Sequence, residues 1–488
     1  MIRIVLCPLF FVLILGTSAA QTALQKSIDR FAALPMMKHA SISICVLDVE
    51  TGKELASHDG DRSLIPASSL KVVTTATALA VLGEEYRFKT ELQYDGQIDA
   101  QGTLNGNLYI KGYGDPTLGS DQIGQEKGAG ALMQKFVAAI QQAGIKRIEG
   151  HVVGDASAFE TAAAGRRWLW EDLGNYYGSG VWGLNIYENM YKIDLQQKSS
   201  LGARPEVVEV YPTVPNLLLI NELASAAKGS GDNAYIFGSP WNYTRFIRGT
   251  IPVGSKRFTI KGSVPDPPFW AAHLLQVQLG KAGIEVKRGA SSLLELHRGA
   301  WADKERTSIL THRSVPLSQI VRRANLKSVN LYCDAMLKAL GMEQRGEGST
   351  QAGLAVIADH WKKKGFDPDG FHQDDGSGLS VRNAVSAHHL ASVMQLMARE
   401  EASFEEFKGS LPLAGRSGTM KYLLRGSSAE GKLWAKSGGM ERVRSYTGYL
   451  VNKRGRSLSF CMIANNFAVE SRLVRREMEK LMLALYEE

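Results

Sequence analysis

Apolar and polar residues alternate near both ends of the chain, which predicts strands at both ends. Residues 41–49 alternate and stop at a turn over 50–53, the pattern of a hairpin. Residues 446–451 and 458–464 form a second alternating pair, and 469–485 carry apolar residues at helical spacing. The two ends are therefore expected to share one antiparallel sheet, with the N-terminal and C-terminal helices on one of its faces.

Three further helical patterns are expected to cover the other face of this sheet. The first is a run of small residues, 74–80, and the others span about 317–340 and 385–398. Together these elements predict the α+β fold class, with an antiparallel sheet flanked by helices.

A serine that could act as a nucleophile lies at the head of the small-residue helix. Ser68 precedes Lys71 by three positions, so both side chains share one helix face. A neutral lysine amine at that spacing can take the proton of a serine hydroxyl, which alone is a poor nucleophile. The spacing by itself is weak evidence, because Ser225 and Lys228 repeat it. Ser68 therefore needs partners elsewhere in the chain.

Two candidate partner motifs follow later in the chain. Ser328-Val329-Asn330 opens a helix-like run, and Lys436-Ser437-Gly438-Gly439 leads into a strand-like run. Either motif alone would indicate a helix cap or a turn. A rival to the second motif, Arg416-Ser417-Gly418-Thr419, has no apolar strand directly after it, which favours Lys436.

The first partner motif suits the handling of protons. The Ser328 hydroxyl can relay a proton between Lys71 and a departing amine. The amide of Asn330 can bind a peptide carbonyl of the substrate and also hold the lysine side chain.

The second partner motif suits the binding of an extended peptide. Lys436 supplies positive charge and Ser437 a hydroxyl for a terminal carboxylate. Gly438 lacks a side chain, so substrate can lie against the strand. The backbone N–H groups of Ser68 and Gly439 are candidates for an oxyanion hole.

With these three motifs in order, the chain resembles the class C low-molecular-mass penicillin-binding proteins, the D-alanyl-D-alanine carboxypeptidase/endopeptidase family. The resemblance implies a penicillin-binding-protein/β-lactamase-like transpeptidase domain with two nested inserted domains. It implies a Ser68 acyl-enzyme acting on peptidoglycan stem peptides, inhibition by β-lactam antibiotics, and no cofactor. Val329, Ser437 and Gly439 depart from the usual family residues. The wider resemblance is carried by Gly114–Leu118, Trp170–Tyr177, Asp375–Ser380 and Ser410–Gly415.

The distance along the chain between the motifs requires an insertion. Ser68 and Asn330 must meet across one cleft, yet 262 positions separate them. Structureless loops of that length are improbable in compact domains, and the segment is rich in strand patterns. The predicted organisation is a signal peptide at 1–20, a catalytic domain at 21–85 and 313–488, a first inserted domain at 86–155 and 255–312, and a second at 156–254.

Two further residues are predicted to bind substrate. Asp155 follows a strand and matches a family position at the far end of the cleft, where it would pair with the amine of the stem's diamino acid; turn capping is the alternative. Met440 would line the same pocket. Asp375, Ser377 and Gly378 are expected to shape the back wall. A cluster of aromatic residues between 168 and 191 suits either packing or glycan stacking.

The chain's first residues and its charge indicate an exported protein. Arg3, an apolar run and a small-residue site ending at Ala20 predict a secretory signal, and hence the periplasm. Its removal lowers the formal net charge from +8 to +7. A basic exported protein suits peripheral contact with an anionic cell wall or membrane surface, simple solubility being the alternative. The compartment argues against nucleic acid.

The cysteines and histidines show no metal-ligand spacing, so no metal is predicted. Cys45, Cys333 and Cys461 are expected to be free buried thiols, with a Cys45–Cys461 bridge as the alternative. Two alternatives stay open. A serine β-lactamase or esterase would use the same three motifs, but the large insertion disfavours it. A non-catalytic peptidoglycan-binding protein would have kept its inserted domains while the site decayed, as the departures at Val329 and Gly439 would allow.

Overall fold

The computed structural model describes residues 22–124, 128–297 and 304–488. The predicted signal peptide, residues 1–20, lies outside these ranges. Within them, no helix combines the length and the apolar character needed to cross a bilayer.

The helices and strands alternate irregularly along the chain, as expected for an α+β protein. The helices are α1 (Ala23–Ala32), α2 (Lys71–Leu82), α3 (Ala129–Gln142), α4 (Trp170–Leu173), α5 (Pro267–Lys281), α6 (Leu293–His297), α7 (Leu317–Lys327), α8 (Asn330–Arg345), α9 (Thr350–Lys363), α10 (Ala387–Glu400), α11 (Phe404–Ser410) and α12 (Ser471–Glu487). Short 3-10 turns lie at Pro35–Met37, Ala67–Leu70, Tyr176–Gly178, Tyr187–Asn189 and Gly418–Met420.

The strands are β1 (Ser41–Asp48), β2 (Glu54–His58), β3 (Lys89–Tyr94), β4 (Gln97–Ile98), β5 (Thr103–Asn105), β6 (Leu108–Gly112), β7 (Arg147–Ile148), β8 (Val152–Asp155), β9 (Met190–Gln196), β10 (Glu206–Tyr211), β11 (Leu218–Asn221), β12 (Ala224–Ala226), β13 (Asn233–Phe237), β14 (Thr244–Pro252), β15 (Arg257–Ser263), β16 (Glu285–Val286), β17 (Ala290–Ser292), β18 (Thr307–Arg313), β19 (Leu433–Met440), β20 (Val443–Val451) and β21 (Ser457–Asn465).

One antiparallel sheet joins the two ends of the described chain in the order β19-β20-β21-β1-β2. Both of its faces are covered, as alternation along β1 shows. Ile44 and Val46 pack in the core that includes α1 and α12, whereas Cys45 and Leu47 pack in the core that includes α2, α8 and α10. The predicted α+β arrangement is therefore confirmed, including the placement of the terminal helices on one face.

The cysteines that the structure describes are free and buried. Cys45 and Cys461 are directly opposite in the pairing of β1 with β21, but they form no bridge. Burial raises the pKa of the Cys461 thiol to about 12, which keeps it protonated and unreactive.

The described residues between α2 and α7 build four further sheets around a core of their own. Their strand orders are β17-β8-β6-β3-β18, β16-β7-β5-β4, β10-β9-β15, and β11-β14-β12 with β13 on β14. Apolar residues from all four sheets, together with α3 and α5, form one contiguous cluster. Strand β15 pairs with β9, although it lies beyond the predicted end of the second inserted domain at 254. The domain limits stay a prediction.

Helix α2 lies at the centre of the helical layer and is buried on all sides from Lys71 to Leu79. Thr75 and Thr77 donate their hydroxyls to carbonyls one turn earlier in the helix, both at 2.7 Å, and Thr74 donates to the Gly376 carbonyl at 2.8 Å. Trp361 of α9 donates its indole N–H to the Thr77 hydroxyl at 2.8 Å. A helix of small residues can thus be surrounded by neighbours and still leave few unpaired polar groups.

Strand β19 approaches the turn before α2 closely, and Gly438 makes this approach feasible. A Cβ at Gly438 would lie 2.5 Å from the Pro66 carbonyl oxygen and 2.8 Å from the Ser69 nitrogen. Ser445 of β20 bonds the same Pro66 carbonyl at 2.5 Å. The missing side chain therefore seats the strand against the Ser68 turn. The role of Gly438 in seating a substrate stays a prediction.

We predict that Gly438→Ala lowers stability by about 1–3 kcal/mol, because the new methyl group meets backbone atoms that cannot rotate away. The matched control is Gly280→Ala in α5, where a Cβ would have no neighbour within 4 Å. A helix-interior alanine there should be neutral or stabilising by about 0.5–1 kcal/mol. Calorimetric melting of both variants measures the difference, and a Gly438→Ala protein that melts like the wild type contradicts the proposed packing.

Candidate active site

Ser68 and Lys71 lie side by side where the 3-10 turn Ala67–Leu70 runs into α2. The Lys71 Nζ is 3.0 Å from the Ser68 Oγ. It also donates to the Asn330 Oδ1 at 2.6 Å and to the Ser377 carbonyl at 2.5 Å. The lysine is fully buried, so these three neutral oxygens replace its contacts with water.

The surroundings of Lys71 favour the neutral amine. Burial lowers its pKa, an effect opposed in part by Cys333 and by the carboxyl groups of Asp334 and Asp375. Among the described residues no carboxylate comes within ion-pair distance of its Nζ. A lysine held in this way can lose its proton more readily than one in water, which is the property that a general base for Ser68 needs.

Ser328 and Asn330 are placed by the sharp junction between α7 and α8. Ser328 ends α7 in the left-handed conformation, at φ 58° and ψ 43°, and Asn330 begins α8. The Asn330 amide is held at both ends, since its Nδ2 donates to the Tyr177 carbonyl at 2.9 Å. Tyr177 belongs to the inserted segment, so that segment helps to orient a group bonded to Lys71.

Lys436 of the second partner motif contacts Ser328 of the first. Its Nζ donates to the Ser328 Oγ at 2.9 Å and to the Ser437 carbonyl at 2.7 Å. Burial, and then the positive charge of Lys71, lower the pKa of Lys436 well below its ordinary value. The structure thus brings Ser68, Lys71 and Asn330 into one hydrogen-bonded group, and Lys436 with Ser328 into a second.

Of the predicted substrate-binding residues of β19, Gly438 packs against the Ser68 turn, whereas Ser437, Gly439 and Met440 are at least partly exposed. Ser437 donates its hydroxyl to the Thr419 hydroxyl at 2.7 Å. Thr419 ends the rival motif, so that motif adds a hydroxyl beside Ser437. Gly439 is exposed, and a Cβ there would lie 3.0 Å from the Arg444 guanidinium; Met440 is half-buried at the end of the strand.

The loop predicted as the back wall of the cleft is held by Asp375. Its carboxylate accepts from the backbone N–H of Gly378 and of Ser380, both at 2.7 Å, and from the Trp168 indole at 2.8 Å. Gly378 has a φ of 76°, and a Cβ there would lie 2.1 Å from the Ala67 carbonyl. This bracing presents the Ser377 carbonyl to Lys71.

The structure does not bring Asp155 to this group. Asp155 ends β8 in another sheet, is fully buried, and accepts from the Ser157 backbone N–H at 2.8 Å and from Arg306 at 2.5 Å. These contacts lower the pKa of its carboxyl against the effect of burial. They match the turn-capping alternative, because a fully buried carboxylate that is paired with an arginine is not presented to a substrate amine.

Sequence reasoning missed a carboxylate closer to Asn330. Asp172 is half-buried, and it accepts a hydrogen bond from the side chain of Tyr177. Burial raises the pKa of this carboxyl. The signal was available, since Asp172 and Tyr177 both lie in the Trp170–Tyr177 segment that carries the resemblance.

Comparisons with known proteins identify the family of this chain. The model of the D-Ala-D-Ala carboxypeptidase 3 (S13) family matches residues 24–487. A D-alanyl-D-alanine carboxypeptidase of an Actinomadura species is 28% identical over 99% of this chain and 90% of that protein. The D-alanyl-D-alanine carboxypeptidase DacB of Haemophilus influenzae is 25% identical over 92% and 91% of the two chains.

The fold is also that of a solved relative. The crystal structure of penicillin-binding protein 4 from Haemophilus influenzae superposes with a TM-score of 0.80, at 23% identity, over 96% of this chain and all of that one. The family model spans nearly the whole described chain. The chain therefore belongs to the D-Ala-D-Ala carboxypeptidase 3 (S13) family of serine-type hydrolases.

Proposed function

We propose that this chain hydrolyses peptidoglycan stem peptides as a D-Ala-D-Ala carboxypeptidase and DD-endopeptidase, through an acyl-enzyme on Ser68. The observation that carries the proposal is the hydrogen bond between the Lys71 amine and the Ser68 hydroxyl inside a buried site. The residue set around it supplies the remaining groups that acyl transfer needs.

Acylation begins when the neutral Lys71 amine takes the Ser68 proton. The serine oxygen attacks the carbonyl carbon of the penultimate D-Ala, and the resulting oxyanion is bound by the backbone N–H groups of Ser68 and Gly439. The carbon–nitrogen bond then breaks. The leaving nitrogen receives the proton that Lys71 took from Ser68, relayed through the Ser328 hydroxyl, and Lys71 is neutral again. Ser328 also accepts a hydrogen bond from Lys436.

Deacylation uses the same groups with water as the nucleophile. Lys71 takes a proton from water, the hydroxide attacks the ester carbonyl, and Ser68 leaves with that proton restored to its oxygen. Lys436 and the Ser437 hydroxyl would hold the terminal carboxylate of the substrate. Asp172 replaces Asp155 as the candidate for the amine of the stem's diamino acid.

β-Lactam inhibition follows from the same attack. Ring opening leaves the amine tethered to the acyl group, so the leaving group does not depart and the ester persists. A structure of penicillin-binding protein 4 from Haemophilus influenzae has been solved in complex with a β-lactam, at 22% identity and a TM-score of 0.75. We place the enzyme in the periplasm, where its substrate lies, with its basic surface in peripheral contact with the cell wall.

The role of Ser68 is tested by intact-mass analysis after incubation with penicillin. The wild type should gain one penicilloyl group and keep it, whereas Ser68→Ala should gain none. The matched control is Ser225→Ala, which removes the other serine that precedes a lysine by three positions. Labelling of Ser68→Ala would remove Ser68 from its role, and sustained penicillin turnover by the wild type would indicate a β-lactamase instead.

The role of Lys71 is tested by the pH dependence of acylation. The rate should rise with pH as Lys71 loses its proton. Burial raises the pKa of Asp334 to about 7, so this carboxyl is ionised above pH 7, and its charge raises the pKa of Lys71. Asp334→Asn removes that charge, and the rising limb should move down by about 1 pH unit.

The matched control for this charge change is Asp359→Asn on the exposed surface of α9. Penicillin labelling rates measured across pH would compare the two variants with the wild type. If the rise of the labelling rate with pH stays at the same pH, or moves to higher pH, in Asp334→Asn, Lys71 is not the base. Lys71→Arg should abolish acylation while the melting temperature reports whether the fold survives.

A further inference from the structure

A basic cavity of about 350 Å³ extends from the predicted cleft into the inserted segment. At one end it is lined by Ser328 and Asn330, and at the other by the sheet β10-β9-β15. We call it the basic cavity because four cationic side chains line it: Lys192, Lys261, Arg323 and Lys327. The cavity thus begins at the hydroxyl that is proposed to protonate the leaving group.

Two of these lysines are held side by side by strand pairing. Lys192 of β9 and Lys261 of β15 are directly opposite in the antiparallel register. Like charges at such positions destabilise a sheet. Along the described part of the chain, neither lysine has a carboxylate within ion-pair distance, and Lys327 has none either. The acid on the same face of β9, Asp194, is bonded instead to Thr259 at 2.6 Å.

Glu188, the acidic side chain among the described lining residues, is already occupied. It accepts from the Tyr332 hydroxyl at 2.5 Å and from Ser120 at 3.1 Å, and it lies 3.4 Å from the Arg323 Nε. Its backbone is in the left-handed turn Tyr187–Asn189, at φ 55°. The turn therefore directs this carboxylate to Arg323 and Tyr332, and the three lysines keep a net positive charge on the cavity.

We propose that the basic cavity binds carboxylate groups of the leaving stem peptide when the enzyme cuts a cross-link. This inference rests on the proposed function and adds a subsite to it. The leaving nitrogen departs at Ser328, so whatever is attached to that nitrogen continues into the cavity.

The size of the leaving group determines whether it can contact Lys192 and Lys261. A carboxypeptidase reaction releases a single D-Ala, whose only carboxylate is held near Lys436 and Ser437. An endopeptidase reaction releases a whole stem peptide with further carboxylates, and these can reach Lys192 and Lys261. The exposed ring of Tyr176, with the Lys261 ammonium 5.3 Å from its centre, adds a surface for the peptide's aliphatic parts.

The test compares two substrates on one double variant, Lys192→Gln/Lys261→Gln. The substrates are a monomeric pentapeptide muropeptide and a cross-linked dimer with free carboxylates. We expect kcat/KM for the dimer to fall about tenfold and that for the monomer to change less than about twofold, given the modest strength of partly exposed ion pairs. A dimer whose leaving stem has amidated carboxylates should be cut equally by the wild type and the variant.

The matched control is Lys146→Gln/Lys228→Gln, which removes the same charge from exposed sites elsewhere in the inserted segment. Its activity on both substrates should equal that of the wild type. The melting temperature of the cavity variant should not fall, because the substitution relieves a like-charge contact. A lower melting temperature with equal losses on both substrates would show a structural role and overturn the proposal.

Two other outcomes separate this proposal from the proposed function. An unchanged ratio of dimer to monomer activity in the cavity variant, with an active wild type, overturns the carboxylate subsite and leaves the carboxypeptidase in place. A wild type that cuts neither substrate contradicts the proposed function and, with it, the proposal of the carboxylate subsite.

Discussion

The site depends on burying one lysine amine away from water, so that its pKa is lowered and it can exist in the neutral form. Lys71 is surrounded by neutral oxygens from three separate parts of the chain: the Ser68 hydroxyl, the Asn330 amide and the Ser377 carbonyl. Each is fixed by its own local structure, a 3-10 turn, a left-handed helix junction and a loop braced by Asp375. Because none carries a charge, burial prevails and the amine can serve as a base.

The same arrangement explains why a chain with large insertions still builds one site. The inserted segment contributes the Tyr177 carbonyl to Asn330 and the Trp168 indole to Asp375. The first bond orients Asn330, which is bonded to Lys71. The second bond supports Asp375, which braces the loop that contains Ser377. The insertion is therefore part of the framework of the site, and in our proposal it also recognises the leaving peptide through Lys192 and Lys261.

Much of the fold could be predicted because its signals are local. Alternation marked the strands that the two chain ends share, and three short motifs marked the residues that the structure brings together. Contacts made by backbone groups could not be predicted from the sequence, because the positions of the Tyr177 and Ser377 carbonyls depend on how distant loops pack. Asp155 was selected by position within a family pattern, whereas its neighbour Ser157 indicated a capped turn. The pairing of Lys192 with Lys261 could not be predicted, because it depends on the register of two strands that are distant in the sequence.

The most direct test of the account is the titration of Lys71 itself. Carbon-13 NMR of the lysine Cε, with Lys71→Arg used to assign the signal, would report the pKa of this one amine in the free enzyme. The account predicts a pKa below the ordinary lysine value of about 10.4. A Lys71 that titrates at or above that value would contradict it, because the amine would then be protonated whenever Ser68 has to lose its proton.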